Sequence, residues 1–179
     1  MKIIKYLVLF AFTASLFNCS PRLSPFTKNL QDENAWSESD LKKIQFYVSR
    51  DIRLYRDFRS GESKIEDGKV RMVNGRKVEE IIIAKGTPGV LAMNPKSDRI
   101  AISFESEDDG RYLMFGPNPK VGDRYVLLAK EWKKNGGVVT YNGRTYQTDR
   151  ESAFSALMID LKKIKKTKVQ SRVAKGRKI

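Results

Sequence analysis

Two-residue turns constrain this chain more than any other feature. Asp67-Gly68, Asn74-Gly75 and Asn142-Gly143 each interrupt short runs rich in β-formers. Asn-Gly and Asp-Gly tolerate positive φ, and the resulting backbone twist matches that of two paired strands, so each dipeptide marks a tight hairpin. Asp67-Gly68 separates residues 64–66 from 69–73, and Asn74-Gly75 separates 69–73 from 76–84. Asn142-Gly143 separates 138–141 from 144–148. Residues 90–93, 99–105, 111–115 and 124–129 are further strand candidates, bounded by turns rich in Gly, Pro or Asp. The expectation is a mainly β fold, an antiparallel sandwich or small barrel of about nine or ten short strands.

Helical signals are few. Ser37-Glu38-Ser39-Asp40 opens a short helix ahead of Leu41 and Ile44. Residues 44–59 fit either a helical stripe or strand alternation, and their β-rich runs favour one or two helical turns followed by strands from about Ile44. One carboxyl-terminal amphipathic helix is expected at about 149–165. Thr148-Asp149-Arg150-Glu151 has capping-box spacing, and Phe154, Leu157, Met158, Leu161 and Ile164 recur every three or four residues. Residues 168–179 read as a basic tail or a final edge strand. The domain then spans 38–167, and 179 residues suit a single core.

The chain has no histidine and one cysteine. Histidine-dependent nucleophile pairs, Cys/His zinc sites and an intramolecular disulfide are therefore impossible. The formal charge is +14, from 35 Lys plus Arg against 21 Asp plus Glu.

Residues 1–18 read as a signal peptide. Lys2 and Lys5 precede an uncharged apolar run from Tyr6 to Phe17, too short to span a bilayer but suited to a signal core. The run ends in Leu16-Phe17-Asn18-Cys19, which resembles the lipobox of bacterial lipoproteins, where Leu precedes a lipidated Cys by three positions. It departs at Asn18, where that family usually has Gly, Ala or Ser. The resemblance implies lipid attachment at Cys19, cleavage before it and several acyl chains, enough for stable anchoring. The resemblance also implies an outer-membrane location, because Ser20 stands where an Asp would retain such a protein at the inner membrane. It implies a periplasm-facing orientation as well, because residues 20–24 lack an acidic cluster of the surface-export kind. Residues 19–37, with two Ser/Pro steps, read as a lipidated tether onto which Phe26 and Trp36 could dock.

Each internal candidate site has a plain structural alternative. Glu105-Ser106-Glu107-Asp108-Asp109-Gly110 could bind Ca²⁺, but lacks the alternating ligand spacing of an EF-hand and reads as a solvated hairpin loop. Glu105 and Glu107 form a conceivable glycosidase pair, whose separation the sequence does not supply. Lys85-Gly86-Thr87-Pro88-Gly89 resembles a phosphate loop but reads as a turn. In residues 110–119, Tyr112 and Met114 are expected in the core, with Phe115 near a rim. Arg50, Arg53, Arg56 and Arg59, interleaved with Asp51 and Asp57, read as a solvated face with local ion pairs.

The clearest electrostatic feature follows Asp160. No acid occurs beyond it, while Lys162, Lys163, Lys165, Lys166, Lys168, Arg172, Lys175, Arg177 and Lys178 do. Such a tail suits anionic lipid, lipopolysaccharide phosphate, peptidoglycan carboxylates or an acidic partner, with a solvated tail as the alternative. Export argues against nucleic acid. No metal, cofactor or catalytic residue is expected. The first reading is a lipid-anchored, non-enzymatic accessory of an outer-membrane or trans-envelope assembly with an envelope protein partner. The second is an anchored β module binding a small apolar ligand or glycan, and the third a carboxylate- or Ser/Lys-based hydrolase.

Overall fold

Alternation with period two decides the region that the sequence left between helix and strand. Ile52 and Leu54 are fully buried while Arg53 between them is exposed, so residues 52–57 form a strand with one face to the core. The same alternation organises the rest of the computed structural model, which describes residues 22–57, 69–73, 76–96, 98–106 and 110–167. They form two antiparallel sheets packed as a β-sandwich.

In chain order the strands are β1 (Ser24–Pro25), β2 (Phe46–Val48), β3 (Ile52–Asp57), β4 (Lys69–Val73), β5 (Arg76–Ile83), β6 (Pro88–Lys96) and β7 (Arg99–Ser103). β8 (Tyr112–Asn118), β9 (Arg124–Leu127), β10 (Glu131–Lys133), β11 (Gly136–Tyr141), β12 (Arg144–Asp149) and β13 (Leu157–Ile159) follow. One sheet has the order β1-β13-β2-β6-β7-β8-β9, and the other β10-β11-β12-β3-β5-β4. The first sheet curls strongly: isolated bridges Thr27↔Arg124 and Val126↔Ala156 stitch β9 to the opposite edge, without a continuous ladder. Both inner faces feed one core, with Phe46, Ile102 and Phe115 from the first sheet and Ile52, Leu54 and Tyr146 from the second. Each such side chain contributes roughly 1.5–3 kcal/mol on burial.

The hairpin signals hold where they are described. Asn142 and Gly143 take φ values of 46° and 66°, with Tyr141 opposite Arg144. Val73 lies opposite Arg76 on either side of Asn74-Gly75. The dipeptides Asp67-Gly68 and Asn74-Gly75 themselves, and residues 64–66, lie outside the described residues. Helix α2 (Glu38–Leu41) follows helix α1 (Lys28–Glu33) where the start signal placed it, and carries a reciprocal cap between Ser37 and Asp40.

Three expectations need correction. First, Phe26 and Trp36 dock as the sequence allowed, but residues 24–37 are thereby part of the body and not a tether. β1 pairs with β13, Thr27 caps α1 by accepting from the Leu30 amide at 3.1 Å, and Phe26 is wholly buried. The Phe26 ring meets those of Tyr125, Phe46 and Trp36 at centroid distances of 4.7, 5.3 and 6.1 Å. Few apolar residues suffice when each is an aromatic seated in the core.

Second, the carboxyl-terminal helix starts at Leu161, not near 149: α3 spans Leu161–Thr167. Thr148 is a buried sheet residue opposite Leu54, so it cannot cap a helix there. A single 3₁₀ turn, Glu151–Phe154, follows instead, and Asp149 accepts from its Ser152 amide at 2.8 Å. Leu157 and Ile159, two apart, then fill the core from β13. Asp160 caps α3 through the Lys162 amide at 3.0 Å, and Leu161 and Ile164 pack against the core.

Third, β8 has the expected alternation with its faces exchanged. Leu113 and Phe115 are buried, and Tyr112 and Met114 lie half-buried on the outside.

Candidate functional site

Two grooves open at opposite ends of the β8–β9 hairpin, and Leu128 borders both. The larger, of about 650 Å³, lies where β8 runs out into Pro117-Asn118-Pro119 and β9 begins at Arg124. Pro25 of β1 forms part of its wall, beside Val126, Met158, Trp132 and Phe154. Trp132 and Phe154 are 39% and 49% exposed, high values for such large apolar side chains. Among the described residues, the only charged ones lining the groove are Arg50 and Arg124, both cations.

Local backbone explains this display. Trp132 lies opposite Gly137 across the β10–β11 ladder, and its ring rests where a Cβ on Gly137 would stand, 2.6 Å from Cε3. The glycine lets the indole lie flat on the sheet. Phe154 ends the 3₁₀ turn. That turn buries Ser152 and Ser155 completely, Ser152 beneath the Asp149 carboxylate and Ser155 donating to the Arg50 carbonyl at 2.9 Å. With the serines held inward, Phe154 faces out. The Arg50 guanidinium lies 5.9 Å from its ring centroid and 3.7 Å from the exposed Glu151 carboxylate.

The second groove, of about 590 Å³, is lined by Tyr112, Met114, Leu128 and Thr140, with Arg99 and Lys130 the only charged lining residues among those described. Gly110, Asn142 and Gly143 close one end, where the Asn142 amide donates to the Gly110 carbonyl at 2.9 Å. Next to it Glu105 joins the sheets: its carboxylate accepts from the Tyr141 hydroxyl at 2.6 Å and from Arg111 at 3.4 Å. That carboxylate is engaged in a structural network, and Glu107, Asp108 and Asp109 lie outside the described residues. Among the described residues no group of three or more His, Cys, Asp or Glu side chains could hold a metal ion.

The arginine series splits between faces, as a strand requires. Arg50 and Arg53 keep exposed partners, Arg53 pairing with Asp51 at 3.6 Å. Arg56 departs from the expected solvated face: it turns inward, ion-paired with fully buried Glu79 on the neighbouring strand and 5.8 Å from the Tyr146 ring centroid. Arg59 lies outside the described residues. Lys85 and Gly86 form a turn, with Gly86 at φ 81°.

Of the anionic-contact candidates, Lys162 and Lys163 are exposed on the first turn of α3. Lys165 and Lys166 follow on the same helix, their side chains outside the described residues. Lys168, Arg172, Lys175, Arg177 and Lys178 lie outside them altogether, as does Cys19. Sequence reasoning assigned Phe154 to a core stripe and passed over Trp132. The signal for Trp132 was present: a lone aromatic flanked by Lys130, Glu131, Lys133 and Lys134 beside Gly136-Gly137. A side chain of that size among charges has little prospect of burial.

Among the described residues no helix is long and apolar enough to cross a membrane. Comparison with family models, with curated proteins and with solved structures returns no match to this chain.

Proposed function

We propose that this chain is a lipid-anchored envelope protein, held in the outer membrane through acylated Cys19 and facing the periplasm, that serves as a non-enzymatic accessory of a protein assembly. The observation that carries the reading is the incorporation of β1 into the sandwich. Cys19 precedes Ser24 by few residues, and Ser24 and Pro25 pair directly with Ile159 and Met158. A chain that joins its core this soon after a lipobox-like motif holds its body against the membrane rather than on a long leash. Lys162 and Lys163 add positive charge beside the same strand pair, just beyond β13.

The surface offered to a protein partner is the second groove, where half-buried Tyr112 and Met114 lie beside Arg99 and Lys130. Its volume of about 590 Å³ also lies in the range of small-molecule sites, roughly 300–1,000 Å³, which favours a second reading as an anchored module for an apolar ligand or glycan. Gentle solubilisation from the native membrane separates them. A protein recovered in stoichiometric amount supports the accessory role, and a small molecule carried through native mass spectrometry supports the second. Anchoring has its own test: Cys19→Ser abolishes lipid labelling, and unchanged labelling of that variant overturns the assignment.

A further inference from the structure

We infer that the larger groove, lined by Trp132, Phe154 and Met158 and flanked by Arg50 and Arg124, is the face on which the domain lies against an anionic phospholipid surface. The inference rests on the anchoring reading and adds an orientation to it. Three observations carry it.

The first is connectivity. Pro25 is part of the groove wall, and Cys19 lies upstream of it in the sequence. Even fully extended, that stretch reaches only about 20 Å. An acyl group on Cys19 at the bilayer therefore keeps the β1 edge, and with it the groove that Pro25 helps to wall, near the lipid.

The second is charge. Among the described residues the charged ones lining the groove are both arginines. Arg124 is exposed, and Arg50, with a side chain that is 58% exposed, has the Glu151 carboxylate beside it at 3.7 Å. A guanidinium matches a phosphodiester with two parallel donors. A positively charged residue near a membrane surface gains from the negative potential of acidic lipids.

The third is side-chain type. Tryptophan at a rim, with an apolar body and a polar N–H, is the residue that settles at the boundary between headgroups and acyl chains. Exposed Phe154 and half-buried Met158 add apolar surface beside it.

The chain contains two tryptophans, and Trp36 is buried inside the body, so a lipid-sensitive emission reports Trp132. The experiment returns the full mature protein, purified from its membrane, to vesicles whose acyl chains carry bromine as a quencher. Expected is a blue-shifted emission quenched by brominated phosphatidylglycerol, with the quenchable component absent in Trp132→Phe. Quenching is about twofold weaker in brominated phosphatidylcholine, and Arg50→Gln combined with Arg124→Gln removes that preference. Protein that floats with the vesicles while Trp132 stays unquenched overturns the inference and leaves the anchor standing. Equal quenching in both lipids, which share the phosphodiester and differ in net charge, overturns the preference for an anionic surface. Protein that does not float overturns the anchor instead. Saturating phosphatidylglycerol vesicles then test the groove alone, where quenching upholds it and its absence overturns it. A blue shift that grows with protein concentration without lipid assigns the groove to a second copy of the chain and overturns the inference.

Discussion

The amino-terminal arm and the rim of the larger groove each carry one phenylalanine and one tryptophan, and the two pairs sit in opposite environments. Phe26 and Trp36 are 0% and 8% exposed, stacked on each other and joined to Tyr125 and Phe46. Trp132 and Phe154 are 39% and 49% exposed. Backbone hydrogen bonding makes the difference. The Phe26 amide donates to the Leu157 carbonyl at 2.9 Å, and its carbonyl accepts from the Tyr125 amide at 3.0 Å, which locks its ring between two strands of the curled sheet. Phe154 follows a turn whose buried serines occupy the inward positions. Trp132 lies on a three-residue edge strand whose side chains are all exposed. The same ring chemistry thus holds the fold together in one place and remains free for an external contact in the other.

The strongest test of that contrast is Phe26→Ala. A fully buried phenylalanine truncated among three aromatic neighbours loses its transfer free energy and leaves a cavity, about 3–5 kcal/mol in all. Urea unfolding reads the loss as a lowered midpoint with an unchanged slope. A loss below about 1 kcal/mol would show that the arm adheres only loosely.

Tyr125 supplies a second handle on the arm. Its hydroxyl donates to Gln31 Oε1 at 2.6 Å, and its pKa is pushed up to about 12, first by burial and then by the negative charges of Asp32 and Asp98. In the unfolded chain the phenol titrates near 10. Below that pH both states keep the proton, and stability does not depend on this group. Above it the unfolded chain sheds the proton while the folded one retains it, so stability falls as pH rises through the interval up to about 12. The full loss is about 3 kcal/mol, at about 1.36 kcal/mol per pKa unit. Unfolding of Tyr125→Phe across the same alkaline range lacks this component, and identical slopes for the two proteins would contradict it.

Smallest are the effects at the groove. Trp132→Ala and Phe154→Ala each change folding stability by about 1 kcal/mol or less, because much of either ring is already in water. Thermal unfolding checks this. A large loss would place these side chains with Phe26 and Trp36 as parts of the core and dissolve the contrast.

Much of the sandwich was legible because its signals are local. The Asn142-Gly143 turn needs only its own φ values and two flanking runs, and the Ser37/Asp40 cap needs only residues three apart. The segment from Thr148 to Ile164 misled because its apolar spacing satisfies two periods at once. Leu157 and Met158 belong to a helical stripe, yet Leu157 and Ile159 also alternate as a strand. The vacant position between β1 and β2 resolved the choice, since a segment with unpaired neighbours on both sides gains ladder hydrogen bonds with each. In β8 the period was visible but its sign was not, because Leu113 and Phe115 differ little in apolar character from Tyr112 and Met114. Neither groove was legible, because each collects residues far apart in the chain.

The sequence by itself determined the class of fold, the tight turns, the absence of histidine chemistry and the lipobox-like motif at Cys19, all properties of short segments. Tertiary structure decided that the arm is core, that β13 is a strand, and that Trp132 and Phe154 line one groove with Pro25, Arg50 and Arg124. Which face of a strand is buried, and which distant residues share a groove, depend on how two sheets pair and curl around one core. That information resides in long-range contacts and in no local stretch of the chain.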